Sequence, residues 1–372
     1  MHILHLITSI NKGGAENHLF YLAKEQIKNN KVSVIYFKGD GYWKSNYNRL
    51  GIKTINLSKQ GSSLFDNIKK ILFVRNFISK EKVNIAHAHL PHMEILMFFV
   101  LLFKKFDIKY FITKHVDNNF LGGSRYKSKS ILASFIDYLL TNKATSIICI
   151  SKAVKEYYVQ SFLSHNKNKY KLVYYGIDSS CLKFLKSKKE NYQIPKNKII
   201  FGSIGRLVKQ KNYEHILRSF KEFTKINKTS AVLVIAGSGP EEKKLKNLSI
   251  KLGINKKVIW LGFVNDIGKF LKKIDIFCMN SNWEGLGLVL LEAMYFKKPI
   301  IAPRISAIPE VIVNNFNGYL VKPNNVRSYS LAMSKIIDKK ISKKFSKNSK
   351  IVLNENFDYI KMVTKIKKIY LT

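Results

Sequence analysis

The chain has few cysteines, no long apolar run and no basic leader. Only three of its 372 residues are cysteine, and the spacing of Cys149, Cys181 and Cys278 fits neither a metal-ligand motif nor a disulfide framework. We therefore expect a reducing, cytoplasmic environment. The longest apolar run, Ile95–Phe103, is too short to span a bilayer, which needs about 20 residues. Met1–Ile10 has no basic segment before its apolar residues, so it predicts a first strand and no signal peptide.

Acidic residues are also scarce. There are 24 of them against 65 lysines and arginines, which gives a formal net charge of +41. Lysine dominates in both halves, as an AT-rich genome would produce. Because base-reading proteins favour arginine, and because we find no recognised nucleic-acid-binding module, we expect no nucleic-acid partner. A basic surface still attracts anionic lipid. Ile95–Phe103 with Lys104–Lys105 is accordingly either a buried core helix or an interfacial element that contacts an anionic membrane.

The most informative stretch follows the apolar run Ile274–Met279, which predicts a short buried strand. Ser281–Gly287 is then the turn at the carboxyl end of that strand, and helical spacing predicts a helix over 286–296. Glycines at a helix start allow close backbone approach, and the free N–H groups there bind anions. The carboxylates of Glu284 and Glu292 accept hydrogen bonds from hydroxyls. A nucleotide sugar carries both kinds of group. Ordinary α/β architecture is the alternative, since the helix dipole alone favours a glutamate at a helix start.

Glu284 and Glu292, separated by seven residues within SNWEGLGLVLLEAM, resemble the E-x7-E signature of the family-4 retaining glycosyltransferases of the GT-B fold. The resemblance implies a nucleotide-diphosphate sugar as donor substrate, retention of configuration, no metal and no other cofactor. It implies that Glu284 positions donor-sugar hydroxyls and that Glu292 holds the ribose hydroxyls. The donor-binding residues that it implies in this stretch are Glu284, Gly285, Leu286, Gly287, Leu288 and Glu292.

Apolar strand-like segments alternate with helical segments through the first half of the chain. The strands predicted there are Ile3–Ile7, Val32–Phe37, Lys53–Leu57, Val83–His89, Lys109–Thr113 and Ser146–Ile150. This alternation predicts a parallel sheet covered by helices on both faces. Gly13 and Gly14 follow the first strand and open a helix, where open α/β sheets bind ligands. They also resemble the family's loop that lies against the donor phosphates and the acceptor.

Histidines gather near the ends of these strands. His115 resembles the family's active-site histidine, whose implied role is to hydrogen-bond the transferred sugar near its anomeric carbon. Asp117 is close enough in sequence to orient it. His87 and His89 alternate onto one face of their strand, so a metal pair is conceivable, but no carboxylate or cysteine completes a ligand set and we expect no metal site. The alternative for His87 and His92 is a polar strand end.

The second half of the chain restarts with a predicted strand, Ile199–Ile204. Arg206 and Lys211 lie on the turn that follows, where they could clamp a diphosphate; a solvated basic turn is the alternative. The arrangement resembles the family's phosphate site, with Asn212 in place of the usual glycine, a mild change because asparagine tolerates unusual backbone angles. Phe263 lies in a segment that resembles the family's loop whose backbone meets the nucleotide base.

A second glycine-rich turn, Gly237–Ser238–Gly239, follows the predicted strand Ala231–Ala236. It superficially matches a dinucleotide-binding loop. Pro240 follows at once and no third glycine appears, so we interpret the segment as a tight turn between a strand and a helix.

These features predict an α/β protein of two Rossmann-like domains facing across a cleft, the GT-B arrangement, with a C-terminal helix that crosses back to the N-terminal domain. The predicted bounds are 1–178 for an acceptor-binding domain, 179–198 for a linker, 199–355 for a nucleotide-sugar-binding domain and 356–372 for the crossover helix. The predicted catalytic residues are His115, Glu284, Arg206 and Lys211.

The predicted activity is transfer of a sugar, with retention, from a nucleotide-diphosphate sugar to a hydroxyl of a lipid-linked or envelope-glycan acceptor. The basic surface, the segment Ile95–Phe103 with Lys104–Lys105 and the lipid-linked acceptors of similar family-4 enzymes predict a cytoplasmic enzyme that lies peripherally on the inner leaflet of a bacterial inner membrane. The alternative is that the charge reflects only lysine-biased coding and that the acceptor is soluble. A GT-B-fold sugar-nucleotide epimerase or an inverting transferase is the alternative enzyme. A basic nucleic-acid-binding protein is the alternative from a different class.

Overall fold

Contacts between residues divide the chain into two units. The computed structural model describes residues 1–39, 41–58, 61, 63–102, 106–116, 131–160, 166–177, 180, 182, 192–195 and 197–372. Unit 1 consists of Met1–Tyr175 together with Ile360–Thr372, and unit 2 consists of Gly176–Tyr359. Each unit is built on one parallel sheet, as the alternating sequence pattern predicted.

Seven strands form the sheet in the described part of unit 1. They are β1 (His2–Ser9), β2 (Lys31–Lys38), β3 (Lys53–Asn56), β4 (Ile85–His89), β5 (Lys109–Lys114), β6 (Ser146–Cys149) and β7 (Tyr170–Leu172). Their order across the sheet is β3-β2-β1-β4-β5-β6-β7. The central strands are mostly buried apolar residues, as in parallel sheets with both faces covered. Histidines interrupt these apolar runs in β1 and β4. The helices of this part are α1 (Gly14–Gln26), α2 (Lys44–Arg49), α3 (Leu64–Lys80), α4 (Pro91–Leu102), α5 (Ile131–Asn142) and α6 (Lys152–Val159).

Unit 2 has a parallel sheet of six strands in its described part. They are β8 (Ile199–Ile204), β9 (Ala231–Ala236), β10 (Val258–Gly262), β11 (Ile276–Cys278), β12 (Ile300–Pro303) and β13 (Gly318–Val321). Their order is β10-β9-β8-β11-β12-β13. The helices are α7 (Tyr213–Ile226), α8 (Glu242–Lys251), α9 (Ile267–Lys273), α10 (Leu288–Tyr295), α11 (Ile308–Val311), α12 (Val326–Ile336) and α13 (Lys339–Asn356). Aromatic and aliphatic side chains fill the core, among them Phe201, Phe220, Phe223 and Met333.

The two sheets share one topology. β8 to β13 repeat the order of β1 to β6, and β7 is an additional strand at one edge of unit 1. The order reverses between β1 and β4 in unit 1 and between β8 and β11 in unit 2, and open α/β sheets bind ligands at the carboxyl ends of strands at such a point. Gly13, His89, Arg206 and Glu284 lie at or just beyond the ends of these four strands.

The last helix of the chain is α14 (Tyr359–Leu371), and all of it except its first residue belongs to unit 1. Met362, Ile366 and Tyr370 recur at the four-residue spacing of one helix face, and all three are buried. The predicted return of the C-terminal helix to the N-terminal domain is therefore confirmed.

The apolar run predicted at 95–103 lies mostly in α4. Met93, Met97 and Val100 are buried, so this helix is largely a core helix, whereas Phe99 and Leu102 are exposed. Phe103, Lys104 and Lys105 lie outside the described residues. Within the ranges given above, none of the helices has the length and hydropathy needed to cross a bilayer.

Helix α13 was not predicted from the sequence. It begins after Asp338, whose carboxylate accepts hydrogen bonds from the backbone N–H groups of Lys340 (2.8 Å) and Ile341 (3.0 Å). Its buried apolar residues, including Phe345 and Leu353, are few among many lysines. The density of lysine hid the helical spacing of the apolar face.

Candidate active site

The loop after β8 carries Arg206 and is supported by the glycine-rich turn after β9. Gly237 has a φ of +136°, and a Cβ placed on it would lie 1.9 Å from the carbonyl oxygen of Gly205. A Cβ on Gly239 would lie 2.5 Å from the carbonyl oxygen of Leu207. Both glycines are therefore needed so that two backbone segments can touch. This confirms the interpretation of 237–239 as a tight turn between a strand and a helix.

Two loops of unit 2 are joined by Lys211 and Glu284, which are far apart in the sequence. Lys211 Nζ forms an ion pair with Glu284 Oε1, and Ser281 Oγ donates a 2.7 Å hydrogen bond to the same oxygen. The backbone N–H of Asn282 donates to the carbonyl of Gln210 at 2.7 Å. The structure thus brings the predicted phosphate lysine and the predicted sugar-binding glutamate into direct contact.

Asn212 ends the turn that carries Lys211 and is the residue before α7. Its φ of +47° and ψ of +49° are left-handed, a conformation in which the family's usual glycine carries no steric cost. Its side chain Nδ2 donates to Asn282 Oδ1 at 3.1 Å. Asparagine therefore provides the same backbone conformation and an additional hydrogen bond between the two loops.

Helix α10 points its amino terminus at this same edge of the sheet. The residue before it, Gly287, is left-handed with a φ of +84°, and no side chain caps the helix. The N–H groups of its first turn therefore retain the partial positive charge that binds anions. Gly285, Leu286 and Gly287 are buried, and Leu288 is half-buried. Glu292 is the fifth residue of the helix and is buried.

Two further predicted donor-binding residues lie in exposed positions after neighbouring strands. Arg206 is exposed in the loop after β8. Phe263 follows β10 directly, and 58% of its surface is exposed. An exposed aromatic ring and an exposed guanidinium at the carboxyl edge of one sheet are groups that a base and a phosphate can contact.

Gly13 and Gly14 stand at the start of α1 in unit 1. Gly13 has an extended backbone with a φ of −170°, which any residue adopts. A Cβ on Gly14 would meet nothing within 4 Å, and one on Gly13 would meet only the flexible side chain of Glu16. Protein packing does not require glycine at either position. Gly14 leaves open space beside the backbone, which fits the predicted contact with a ligand, whereas the Glu16 carboxylate occupies the space beside Gly13.

His115 lies just beyond β5, and both of its ring nitrogens are in use. Its Nε2 is 3.2 Å from His89 Nδ1, and its Nδ1 is bonded to the hydroxyl of Tyr175. His89 Nε2 is in turn 3.2 Å from His5 Nδ1, and His5 Nε2 is 2.6 Å from Gln26 Oε1. His115 can therefore reach a sugar only if the sugar replaces one of its protein partners.

A second arm of hydrogen bonds runs from Gln26 through the C-terminal helix. Because Gln26 Oε1 faces His5, the amide nitrogen of Gln26 is left for its hydrogen bond with the hydroxyl of Tyr370. That hydroxyl is 2.6 Å from His87 Nδ1, and His87 Nε2 is 2.7 Å from Thr113 Oγ1. We call the whole set the histidine chain. Its members are Gln26, His5, His87, His89, His115, Thr113, Tyr175 and Tyr370.

Burial keeps the histidines of this region neutral. It lowers the pKa of His5 to about 4, although the hydrogen bond with Gln26 acts in the opposite direction. It lowers the pKa of His115 to about 3. Burial, with smaller contributions from neighbouring histidines, puts the pKa values of His18, His87 and His89 well below the usual range. Each ring therefore has one donor nitrogen and one acceptor nitrogen at neutral pH.

His5, His87 and His89 offer ring nitrogens that lie within 4.8 Å of one another, a spacing that a metal ion could bridge. The sequence suggested the pair in β4 but missed the third histidine, which β1 supplies. All six of these nitrogens already have protein partners in the histidine chain. A metal would have to replace several of those hydrogen bonds, so the expectation of no metal site stays a prediction.

Lys114 precedes His115 and anchors the end of β5. Its ammonium pairs with Glu94 at 2.6 Å and with Asp137 at 2.7 Å, and its side chain is 4% exposed. Burial alone would lower the pKa of Lys114, but the two carboxylates outweigh burial and raise it well above the usual range. The backbone before His115 is thus fixed by a buried ionic cluster.

Several residues of these sites were missed by the sequence analysis. They are His5, His18, Gln26, Lys114, Tyr175 and Tyr370. The available signal was a histidine or glutamine at a position that the periodicity assigns to a buried face, as with His5 in the apolar run of β1. Asp117, which was expected to orient His115, lies outside the described residues.

Two family models match this chain, one over most of unit 1 and the other over most of unit 2. Residues 12–180 match the family model described as Glycosyltransferase Family 4, and residues 185–352 match the model described as Glycosyl transferases group 1. The Escherichia coli UDP-Gal:alpha-D-GlcNAc-diphosphoundecaprenol alpha-1,3-galactosyltransferase is 26% identical over 317 residues, which are 83% of this chain and 80% of that protein. The Escherichia coli O-antigen biosynthesis glycosyltransferase WclY is 23% identical, with 100% of this chain and 98% of that protein covered.

Solved structures show the same fold. The crystal structure of Anabaena Alr3699/HepE in complex with UDP and glucose matches with a TM-score of 0.80 at 19% identity, covering 99% of this chain and 98% of that chain. The predicted fold class, two Rossmann-like domains of the GT-B glycosyltransferase type, is confirmed. Because the two family models together account for most of its length, the chain belongs to the group 1 and family 4 glycosyltransferases and is a glycosyltransferase.

Proposed function

We propose that this glycosyltransferase moves a sugar, with retention of configuration, from a nucleotide-diphosphate sugar to a hydroxyl of a lipid-linked or envelope-glycan acceptor. The observation that carries the proposal is the Lys211–Glu284 pair at the same sheet edge as the uncapped start of α10. A lysine and free helix N–H groups suit a diphosphate, and a carboxylate beside them suits sugar hydroxyls. A site for a bare anion would not place a carboxylate beside it, because the two negative charges repel each other.

The residues of unit 2 divide the work of holding the donor. Arg206, Lys211 and the N–H groups from Gly287 onward stabilise the charge that develops on the leaving diphosphate, commonly the largest contribution to catalysis. Glu284 positions the donor sugar and is not a covalent nucleophile. Glu292 accepts hydrogen bonds from the ribose hydroxyls. The segment around Phe263 meets the base. No metal or other cofactor is proposed.

Unit 1 is proposed to bind the acceptor. Gly13 and Gly14 are proposed to lie against it, with open space at Gly14 beside the start of α1, and His115 is proposed to contact the transferred sugar. The name of the Escherichia coli relative specifies a diphosphoundecaprenol-linked substrate, which supports a lipid-linked acceptor. The names of that relative and of the Anabaena complexes specify UDP and UDP-sugars, so a UDP-hexose is the first donor to test.

Thermal shift with a panel of UDP-, GDP- and ADP-sugars tests the donor. We expect UDP-sugars to raise the melting temperature and the other two classes to leave it unchanged. Proton NMR of slow donor hydrolysis then tests the stereochemistry, since a retaining enzyme releases the α-sugar first from an α-linked donor. Release of the β-sugar would favour the inverting alternative. Conversion of the donor to its epimer without release of nucleotide would favour the epimerase.

A peripheral membrane position is supported by one surface of unit 1. Phe65, Ile68 and Leu72 recur along one face of α3 and are 77%, 47% and 55% exposed. Phe99 and Leu102 are exposed on α4, which packs against α3. Exposed apolar side chains on a strongly basic protein are typical of a surface that enters the headgroup region of an anionic bilayer. We propose that this surface contacts the cytoplasmic face of the inner membrane.

Flotation with vesicles tests the membrane contact. The chain should float with vesicles rich in phosphatidylglycerol, and binding should fall as salt rises. Replacing Phe65, Ile68 and Leu72 by serine should weaken binding, as should glutamate at Lys104 and Lys105. Serine at Ile226 and Ile250, which are equally exposed apolar residues of unit 2, is the matched control. Absence of binding to these vesicles at low salt would contradict the membrane contact and leave the donor assignment intact.

A further inference from the structure

The donor and acceptor roles in the histidine chain can be assigned from one residue, Gln26. Its amide oxygen faces His5 Nε2 at 2.6 Å, which leaves its amide nitrogen for the hydrogen bond with the Tyr370 hydroxyl. A carbonyl oxygen only accepts, and His5 Nε2 must therefore carry the proton. In a neutral imidazole the other nitrogen is then an acceptor, which leaves His5 Nδ1 without a proton.

The assignment passes from ring to ring along the first arm. His5 Nδ1 can only accept, so His89 Nε2 at 3.2 Å donates to it. His89 Nδ1 then accepts from His115 Nε2, also at 3.2 Å. His115 Nδ1 is left as an acceptor, and the hydroxyl of Tyr175 donates to it. Every hydrogen bond in this arm has the same direction.

The second arm continues in that direction. The Tyr370 oxygen accepts from Gln26, so its hydroxyl proton is given to His87 Nδ1 at 2.6 Å. His87 Nε2 then donates to Thr113 Oγ1 at 2.7 Å. All four imidazoles are therefore the Nε2–H tautomer. Hydrogen bonds that run head to tail polarise one another, so reversing one ring would disturb the whole set.

A second buried group lies beside the acceptor end of the chain. His18 stacks on Tyr175 with ring centroids 4.2 Å apart, and its ring centroid is 5.7 Å from that of His115. Its Nε2 is buried and has no hydrogen-bond partner among the described residues. A buried polar atom without a partner destabilises the fold, and a ligand that supplies the partner would recover that loss.

We propose that the histidine chain presents His115 to ligands as a hydrogen-bond acceptor at Nδ1, so that the group it receives is a hydroxyl, with Gln26 and Tyr370 as positioning residues. This inference rests on the proposed contact between His115 and the transferred sugar. A sugar hydroxyl can replace the hydroxyl of Tyr175, because each gives a proton to the ring. A phosphate oxygen brings no proton and is rejected at this position.

Two-bond ¹H–¹⁵N correlation spectra of the full chain, labelled with ¹⁵N-histidine, test the tautomers without any substrate. We expect His5, His87, His89 and His115 to be Nε2–H. In Tyr370→Phe the Gln26 amide is free to turn, so His115 should become a mixture of tautomers. Tyr47→Phe is the matched control, since the Tyr47 hydroxyl is equally buried in unit 1 and has no partner there among the described residues. It should leave the spectrum of His115 unchanged.

An Nδ1–H tautomer at His115 in the wild-type chain would overturn the assignment. A single unchanged tautomer in Tyr370→Phe would overturn the role of Tyr370. For the ligand, UDP-glucose should shift the Nδ1 resonance of His115 and UDP should not, and equal shifts with both would overturn the restriction to a hydroxyl. Failure of both nucleotides to bind in the thermal-shift assay would count against the proposed donor, while the tautomer result stands.

Discussion

Units 1 and 2 share a strand order, yet they use the point where that order reverses in different ways. In unit 2 the core between sheet and helices is apolar, with Phe201, Phe220 and Phe223 at its centre. The ion pair of Lys211 and Glu284 lies there in loops beyond the strand ends. In unit 1 polar groups reach into the layer itself, where histidines of β1 and β4 are fully buried.

This difference shows that one topology can support two kinds of site. Loops on an apolar core can change their partners without disturbing the sheet, which suits a surface that must bind and release a charged donor. A hydrogen-bonded core couples strands, α1 and α14 in one network, so its parts cannot move separately.

Mild acid should destabilise unit 1 before unit 2. Histidine titrates near 6.5 when unfolded, and the folded pKa values of His5, His18, His87, His89 and His115 lie lower. Below pH 6.5 the unfolded state therefore binds more protons, and stability falls as the pH falls; above pH 6.5 these groups have no effect. Each shifted histidine changes the free energy of unfolding by up to about 1.4 kcal/mol per pH unit, so the five together reach about 7 kcal/mol per pH unit.

Hydrogen exchange measured by mass spectrometry at pH 7, 6 and 5, corrected for intrinsic rates, follows the two units separately. The pKa of His215 in unit 2 is lowered by burial to about 4, so that unit is the internal reference with a smaller expected loss. β1 and β4 should lose protection first. Earlier loss in β8 and β11 would contradict the comparison.

Removing the buried cation of unit 1 should be the next largest effect. Lys114→Met leaves Glu94 and Asp137 without their partner, which costs about 3–5 kcal/mol for a buried pair. Lys53→Met is the control, because Lys53 pairs with Glu81 at 3.0 Å but its side chain is 55% exposed; such a pair contributes about 1 kcal/mol or less. Urea unfolding measures both. Equal losses would show that Lys114 is not the anchor that its burial indicates.

In unit 2 the corresponding variants should act mainly on activity. Arg206 is exposed, so its loss should leave stability unchanged, whereas Lys211→Ala also removes the ion-pair partner of Glu284 and should lower stability as well. Arg206→Ala and Lys211→Ala should each cost about 2–4 kcal/mol of transition-state stabilisation, measured from kcat/KM with the donor found by thermal shift. Lys209→Ala is the control, an exposed lysine of the same turn. Wild-type turnover in either of the first two variants would remove that residue from the phosphate site.

The smallest expected effects are those of Glu292→Gln and Glu284→Gln, which distinguish the proposed roles of the two glutamates. Glu292→Gln should weaken UDP binding by about 1–3 kcal/mol, because a ribose hydroxyl loses a charged acceptor. Glu284→Gln should not weaken UDP binding, since it also removes the ion pair that competes for Lys211, and it should lower turnover of the whole donor. Calorimetry with UDP and kinetics with the donor measure the two quantities. Equal losses of UDP affinity would mean that the roles are assigned wrongly.

The sequence predicted the parts of this molecule that depend on local pattern. Strand and helix periodicity gave both sheets, and the spacing of Glu284 and Glu292 identified the loop and helix of unit 2. Partners brought together by the fold were not predictable in the same way. Gln26 and Tyr370 are near opposite ends of the chain, and their contact depends on how α1 and α14 pack on the sheet. Asn212 was predictable in part. Its replacement of the family's glycine indicated that the unusual backbone angle is tolerated, but the sequence did not show the hydrogen bond to Asn282.

The Lys211–Glu284 pair has a consequence for product release. The lysine and the carboxylate neutralise each other, and under the proposed function the whole donor separates them by offering a diphosphate to one and hydroxyls to the other. The nucleoside diphosphate that remains after transfer engages only the lysine and leaves Glu284 with an unpaired charge. Re-forming the ion pair then competes with the product. If the proposed roles hold, the pair favours the substrate over the product and hastens departure of the nucleotide without any further contact.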